Sequence, residues 1–279
     1  ELWSPDIECD VTGWKPGGSH ETERLWRWTH DTFQLAADTT CNTCNHPPVA
    51  QPLIADLQLD GSPELVLALL DDLNNEPNVL ALPLPSSGTP SPMWEVTLDK
   101  GTHPSDPAWV AIDAVSSVVL ITTIDHNDGN MWVWRLGATS GSPQWNGASL
   151  GNLDGDTNAP HVRLPGPIIT QLDSDPAPEM VVTIPSDLGG STTADGAEFV
   201  GLEVTDASEV FSFSVINGYA DAPPTTIDTD DDGITDRICW NTWYRDGWST
   251  HGMAGCHNIA TPTPIEIWHR ELEGSSGTP

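Results

Sequence analysis

The sequence is poor in basic residues. Only 9 Lys and Arg stand against 41 Asp and Glu in 279 residues, and only two of the nine are Lys. The formal charge of −32 repels phosphate backbones and anionic lipid headgroups. The charge therefore argues against nucleic acid and anionic membrane as partners.

Long hydrophobic runs and helix signals are also lacking. The longest apolar stretches, such as residues 65–70 and 118–121, are far shorter than the ~20 residues that a membrane-spanning helix needs. No stretch keeps an apolar period of 3.6 over three turns behind a capping box. The sequence therefore predicts an all-β protein without a membrane span.

The usual catalytic motifs are missing as well. We find no nucleophile elbow, zinc-protease helix, phosphate-cradling glycine loop or dinucleotide fingerprint. The 41 acidic residues leave open the alternative that two of them form a carboxylate pair suited to glycoside hydrolysis. No catalytic residue is therefore assigned.

What the sequence does contain is a repeat. An apolar stretch runs into an acidic loop at residues 53–56, 110–113, 168–171 and 225–228, at intervals of 57, 58 and 57 residues. Each loop is followed by β-rich segments, and four strands per repeat is the size of one propeller blade. The repeats would span about residues 51–107, 108–165, 166–222 and 223–279.

This repeat predicts a single β-propeller domain over residues 1–279. About five four-stranded blades are expected, with residues 1–50 as a divergent N-terminal blade. The alternative is four blades with an N-terminal extension.

The clearest acidic loop has the sequence DTDDDGITD and starts at Asp228. Asp outnumbers Glu by 27 to 14, and Asp is the short carboxylate of calcium loops and of tight turns. Oxygen ligands for Ca²⁺ are expected at alternate positions of this loop, with a backbone carbonyl from position 7. These ligands are Asp228, Asp230, Asp232, Ile234 and Asp236.

Together with its flanks PTTI and RICW, this loop resembles the FG-GAP or VCBS repeat of integrin α-subunit propellers and of many secreted microbial proteins. The resemblance implies a calcium-binding propeller located outside the cell or at its surface. Two further copies carry over the ligand positions with substitutions: Asp56, Gln58, Asp60 and Glu64 in the first repeat, and Asp173, Asp175 and Glu179 in the third.

The third copy departs from the pattern, with Gln171 at position 1 and Pro176 in place of the turn glycine. In the second repeat, residues 113–117 are shortened and have lost the acids after Asp113, so a plain hairpin is expected there. The alternative for every copy is a β-turn without metal, because Asp, Gly, Ser and Pro favour turns.

Five cysteines are typical of an exported, loop-rich protein. We expect a disulfide between Cys239 and Cys256 and a second one within the set Cys9, Cys41 and Cys44, which leaves one cysteine over. A zinc site built from the Cys41–Cys44 segment is the less favoured alternative.

Thirteen tryptophans are present, and exposed aromatic side chains stack on sugars and protein surfaces. Trp132, Trp134 and Trp145 fit core packing between blades. The candidates for a recognition patch are Trp240, Trp243, Tyr244 and Trp248.

The sequence thus favours a non-enzymatic adhesion or ligand-recognition module that binds an extracellular protein or glycan. One alternative is a structural subunit of a surface layer or fibre, which would form a homo-polymer. The other alternative is a polysaccharide lyase or hydrolase built on a propeller.

Overall fold

The computed structural model describes residues 8–16, 22–34, 50–71, 76–84, 90–101, 103–125, 130–145, 147–152, 164–185, 196–215, 218–220, 222–246, 249–261 and 263–272. All regular secondary structure in these ranges is β-strand. None of the described residues belongs to a helix that is long and apolar enough to cross a membrane.

The strands form one hairpin and four larger sheets. The hairpin consists of β1 (Glu8–Pro16) and β2 (Thr22–Gln34), and blade 1 of β3 (Leu53–Ala55), β4 (Glu64–Asp71), β5 (Glu76–Pro83) and β6 (Trp94–Thr97). Blade 2 contains β7 (His103–Pro104), β8 (Ala108–Ala111), β9 (Ser117–Ile124), β10 (Asn130–Gly137) and β11 (Ala148–Asn152). Blade 3 contains β12 (Ile168–Thr170), β13 (Glu179–Ile184), β14 (Glu198–Glu203) and β15 (Glu209–Ser214). Blade 4 contains β16 (Thr225–Ile227), β17 (Arg237–Asp246), β18 (Ser249–Asn258) and β19 (Ile265–Leu272).

Blades 1, 3 and 4 are antiparallel meanders, because consecutive strands are hydrogen-bonded neighbours. Blade 2 follows the same plan with an interrupted first strand. Its β7 pairs with the end of β9, where His103 is opposite Ile124, and its β8 pairs with the start, where Ala111 is opposite Ser117. Four strand positions per blade therefore hold in all four sheets.

The blades pack face to face in chain order, as the two-residue period of a strand allows. On β9, Val119 and Ile121 belong to a cluster shared with blade 1, while Val118 and Leu120 belong to a cluster shared with blade 3. On β13 the alternation continues, with Val181 in a third cluster that reaches blade 4. The continuous apolar runs of the sequence are thus strands buried on both faces.

This arrangement of meander sheets is a β-propeller, so the predicted fold class is confirmed. The described N-terminal residues contribute only the two-stranded hairpin, which fits the alternative of four blades with an N-terminal extension. A fifth blade would need strands that lie outside the described residues.

The structure also confirms the predicted disulfide between Cys239 and Cys256. The two cysteines lie directly opposite each other on β17 and β18. The bond therefore fastens the central hairpin of blade 4. Cys9 lies in β1, but its side chain, Cys41 and Cys44 are outside what the structure describes, so the second predicted pairing stays a prediction.

Candidate metal centres

Three acidic loops leave the first strand of a blade at the same place. Loop 1 comprises residues 56–64, loop 3 residues 171–179 and loop 4 residues 228–236, and each joins the three-residue first strand of its blade to the second strand. Each loop has nine positions, and position 1 directly follows the first strand. The shared location makes their side chains directly comparable.

In loop 4 the residue at position 1 accepts hydrogen bonds from the loop's own backbone. Asp228 Oδ1 accepts from the amides of Asp230 (3.2 Å) and Asp231 (2.7 Å), and its Oδ2 accepts from Gly233 N (2.8 Å). Gly233 at position 6 has a φ of 90°, which glycine tolerates without strain, and Asp231 at position 4 has a φ of 64°. The backbone thus wraps around the Asp228 carboxylate.

Position 9 closes the loop from the other side. Asp236 Oδ2 accepts from Thr229 N (2.7 Å) and also from the Thr229 hydroxyl. As a result, carboxylate oxygens of Asp228, Asp230 and Asp236 all lie within 4.8 Å of one another. Asp232 is held by its own turn, with Oδ1 accepting from Ile234 N (2.8 Å).

The charges of loop 4 influence one another. Hydrogen bonds from Gly233 N and from Thr229 hold the pKa values of Asp228 and Asp236, respectively, below their usual range. The pKa of Asp230 is raised, mainly by the negative charge of Asp232 and further by burial and by Asp236. The loop is therefore a concentrated and solvent-exposed group of carboxylates.

Loop 1 repeats this frame in a different blade. Asp56 Oδ1 accepts from Asp60 N (3.0 Å) and its Oδ2 from Gly61 N (2.8 Å), while Gly61 has a φ of 87°.

At position 9 of loop 1, Glu64 Oε2 accepts from Leu57 N (2.8 Å). Burial raises the pKa of Glu64. At position 3, Gln58 Nε2 is 4.0 Å from Met93 Sδ.

Loop 3 keeps position 9 but differs at position 1. Glu179 Oε2 accepts from Leu172 N, as Glu64 does from Leu57. The Gln171 side chain instead donates, and its Nε2 contacts the backbone carbonyls of Asp173 (3.1 Å), Asp175 and Ala177 (3.2 Å).

The acids of loop 3 are nevertheless close together. Oxygens of Asp173, Asp175 and Glu179 lie within 4.8 Å of one another. Glu179 has no exposed surface, and its pKa is raised to about 7 by burial, with nearby carboxylates including Glu203 adding to the shift. Glu203 is opposite Glu179 on the neighbouring strand, a partner that the linear sequence did not indicate.

Blade 2 has a tight turn at the corresponding place. Asp113 Oδ1 accepts from Val115 N (2.7 Å) and Ser116 N (2.6 Å), and Ile112 N donates to Ser116 O (2.8 Å). This is the plain hairpin that the loss of acids predicts.

The predicted recognition residues are not all at the surface. Trp240 is only 4% exposed and donates from Nε1 to His257 Nδ1 (3.1 Å) inside the cluster between blades 3 and 4, so it does not contribute to a surface patch. Trp243 is half-buried with its ring edge-on to Tyr219 (5.2 Å between centroids). Trp248 lies outside the described residues.

Tyr244 belongs to a small polar cluster on blade 4 that sequence reasoning missed. Its ring stacks on His251 at 5.0 Å, and its hydroxyl donates to Glu271 Oε1 (2.8 Å), which is also 3.1 Å from His251 Nδ1. The three residues come from three strands, so their spacing in the sequence carries no signal of the contact.

No family model and no curated protein matches the sequence. Among solved structures, the chain is similar to a GH43 β-1,3-galactosidase at 8% identity and TM-score 0.45, over 91% of this chain and 52% of that one. It is also similar to a putative exo-β-1,3-galactanase from Bifidobacterium bifidum at 11% identity and TM-score 0.39, over 82% of this chain and 73% of that one.

A third similar structure is an endo-arabinase from Bacteroides thetaiotaomicron, at 13% identity and TM-score 0.31, over 81% of this chain and 75% of that one. Such scores are too low to transfer a substrate or a residue role. The propeller assignment therefore rests on the sheet order and the packing between blades.

Proposed function

We propose that this chain is an extracellular, calcium-stabilised β-propeller that acts as a non-enzymatic recognition module. The observation that carries the proposal is the repetition of one loop frame in loops 1 and 4. In both, a position-1 Asp accepts from the amides of positions 5 or 6, and a position-9 acid accepts from the amide of position 2.

The donor set of loop 4 fits Ca²⁺, which prefers six to eight oxygen ligands from carboxylates, backbone carbonyls and water. The residues that would hold the ion are Asp228, Asp230, Asp232, Asp236 and the carbonyl of Ile234. In loop 1 they would be Asp56, Asp60 and Glu64, with Gln58 as a neutral donor. A bound divalent cation would neutralise clustered negative charge and fix the connection between the first two strands.

An extracellular location is supported by the Cys239–Cys256 disulfide, since such bonds persist in oxidising compartments. In this proposal the metal is structural, because the loops join strands and lie on separate blades. Recognition of a protein or glycan would use the end of the β17–β18 hairpin, where Trp243 and Tyr244 are half-buried.

The test is a calcium titration with thermal melting, in calcium and in chelator. We expect chelation to lower the melting temperature of the natural chain, and Asp230→Ala with Asp232→Ala to reduce that difference to the part contributed by loop 1. The matched control is Asp113→Asn, which changes an acid at the same blade position in a loop without a cluster. Absence of calcium binding and of any chelator effect would contradict the proposal.

Assembly into a fibre or surface layer is the second candidate, and the exposed strand β19 favours it. All eight residues of β19 are exposed, among them Ile265 (59%), Trp268 (47%) and Leu272 (49%). An exposed apolar edge strand is a template for pairing with another chain. Concentration-dependent polymers in negative-stain microscopy that disappear in Ile265→Lys would support assembly, and a monomer at all concentrations would exclude it.

A propeller hydrolase is the third candidate, favoured by the paired carboxyl groups of Glu179 and Glu203 on adjacent strands. Glycoside hydrolysis uses two such groups. The test is an assay for turnover of soluble polysaccharides. Because Glu179 has no exposed surface, this candidate ranks below the recognition module; turnover lost in Glu203→Gln would reverse that order.

A further inference from the structure

The centre of loop 3 has the opposite hydrogen-bonding character from the centre of loop 4. Gln171 Nε2, which carries two N–H donors, is in hydrogen-bonding contact with three backbone carbonyls, those of Asp173, Asp175 and Ala177. At the same position in loop 4, Asp228 accepts from three backbone amides. Position 1 therefore supplies donors in one loop and acceptors in the other.

The carbonyls that Gln171 contacts include the one that a metal would use. Ala177 is at position 7, where Ile234 in loop 4 offers its carbonyl as a ligand. A carbonyl oxygen that points into a loop is satisfied by a cation, by a donor from the chain or by water. In loop 3 the amide nitrogen supplies the donor from within the chain.

We propose that the Gln171 amide takes the place of a cation in loop 3, so that this loop keeps its shape without metal while loops 1 and 4 bind calcium. The statement that loops 1 and 4 bind calcium rests on the proposed function, whereas the role of Gln171 in loop 3 does not. Turning the amide over would set its oxygen against the same three carbonyls, an arrangement that needs a cation or water between the oxygens.

The remaining carboxylates of loop 3 form a poor ligand set. Asp173 Oδ1 accepts from Asp175 N (2.7 Å), Asp175 Oδ1 from Ala177 N (2.7 Å), and Glu179 Oε2 from Leu172 N. The acids of loop 4 accept backbone amides in the same way, so the difference between the two loops lies at positions 1 and 7. The second oxygen of Glu179, Oε1, is buried and has no hydrogen-bond partner among the described residues. A cation among the acids of loop 3 would have three protein ligands, without the position-1 oxygen or the position-7 carbonyl, against the six to eight that calcium prefers.

The experiment uses the whole chain and the isosteric change Gln171→Glu, which replaces the amide donors with acceptors. We expect its melting temperature in chelator to fall by ~5 °C relative to the natural chain and to be restored by calcium. Calorimetry should then count one additional calcium ion. The control is Gln144→Glu, an exposed glutamine of blade 2 with the same change of charge, which should melt like the natural chain.

A second pair of variants covers other outcomes. Asp173→Asn with Asp175→Asn keeps acceptor oxygens for the backbone and should leave the calcium count of the natural chain unchanged; a loss of one ion would overturn the inference. If Gln171→Glu does not fold, the role of the amide is tested with Gln171→Met, which removes the donors without adding a charge. A melting temperature lowered equally in calcium and chelator supports the inference, and an unchanged one refutes it.

The experiments distinguish a failure of the proposed function from a failure of the inference about Gln171. If the natural chain binds no calcium, the proposed function is wrong, and the melting of Gln171→Met in chelator still tests the role of the amide. If the natural chain binds calcium in loop 3, only the inference about Gln171 is wrong.

Discussion

Blades 3 and 4 are neighbours with the same order of strands, but each blade has different stabilising features. Blade 3 contributes Phe199, Phe211 and Phe213 to the apolar cluster between them, with the rings of Phe199 and Phe213 stacked at 5.3 Å. Blade 4 contributes Ile238 and Trp240 to the same cluster and also carries the Cys239–Cys256 disulfide and the Asp-rich loop 4. The comparison teaches that two blades with the same strand plan can differ in the features added to it, here stacked aromatic rings in blade 3 and a disulfide in blade 4.

The largest expected loss of stability comes from removing a buried aromatic ring of blade 3. Phe199 is completely buried, so Phe199→Ala should lower the free energy of unfolding by ~3–5 kcal/mol through lost burial and a cavity. Chemical denaturation in calcium and in chelator measures the loss. The same loss is expected under both conditions, and a loss confined to chelator would show that burial and metal are coupled across the interface.

Removing the covalent support of blade 4 should have a somewhat smaller effect. The cysteines of the pair are 17 residues apart in sequence, and a loop of that length is worth ~3 kcal/mol through the entropy of the unfolded chain. Cys239→Ala with Cys256→Ala should lower the free energy of unfolding by about that amount. Reductant should destabilise the natural chain by more than the double variant, in which only the predicted pairing within Cys9, Cys41 and Cys44 remains to be reduced.

The turn glycine distinguishes loop 4 from loop 3. Gly233 has a φ of 90°, and a Cβ there would meet no atom within 4 Å, so Gly233→Ala should cost ~1–2 kcal/mol from backbone strain alone. Loop 3 has Pro176 at this position, and Pro176→Ala should cost less than ~1 kcal/mol. Equal losses in the two variants, measured by urea denaturation, would show that both loops need the same turn.

The smallest expected effect is a pH dependence at the interface of the two blades. His257 is buried between Phe213 and Trp240, and burial lowers its pKa, although Glu266 opposes the shift. Because the unfolded chain binds the proton more readily, stability should be complete above the unfolded pKa of about 6.5 and fall as the pH drops below it.

Each unit of that shift is worth ~1.4 kcal/mol. Thermal melts between pH 7.5 and about pH 5 should show a drop that His257→Gln removes. The exposed His269→Gln is the control and should keep the drop. A drop of the same size in His257→Gln would assign it to other groups.

Several features of the fold were accessible from the sequence because they depend on local spacing. The position-9 contacts, such as Asp236 to Thr229, span seven residues and follow from the loop sequence. The period of the acidic loops predicted the blades for the same reason. The partnership of Glu179 with Glu203 was not accessible, since it depends on the register between β13 and β14.

The sequence by itself determined the all-β class, the repeat, the loop frames and the cysteine pair that closes a hairpin, because short-range periodicity and spacing encode them. Only the tertiary structure decided that Trp240 is buried, that β19 is exposed, and that Gln171 turns its amide into loop 3. These outcomes depend on which face of a strand meets a neighbouring blade and on how a side chain satisfies nearby carbonyls, and no linear pattern records either one.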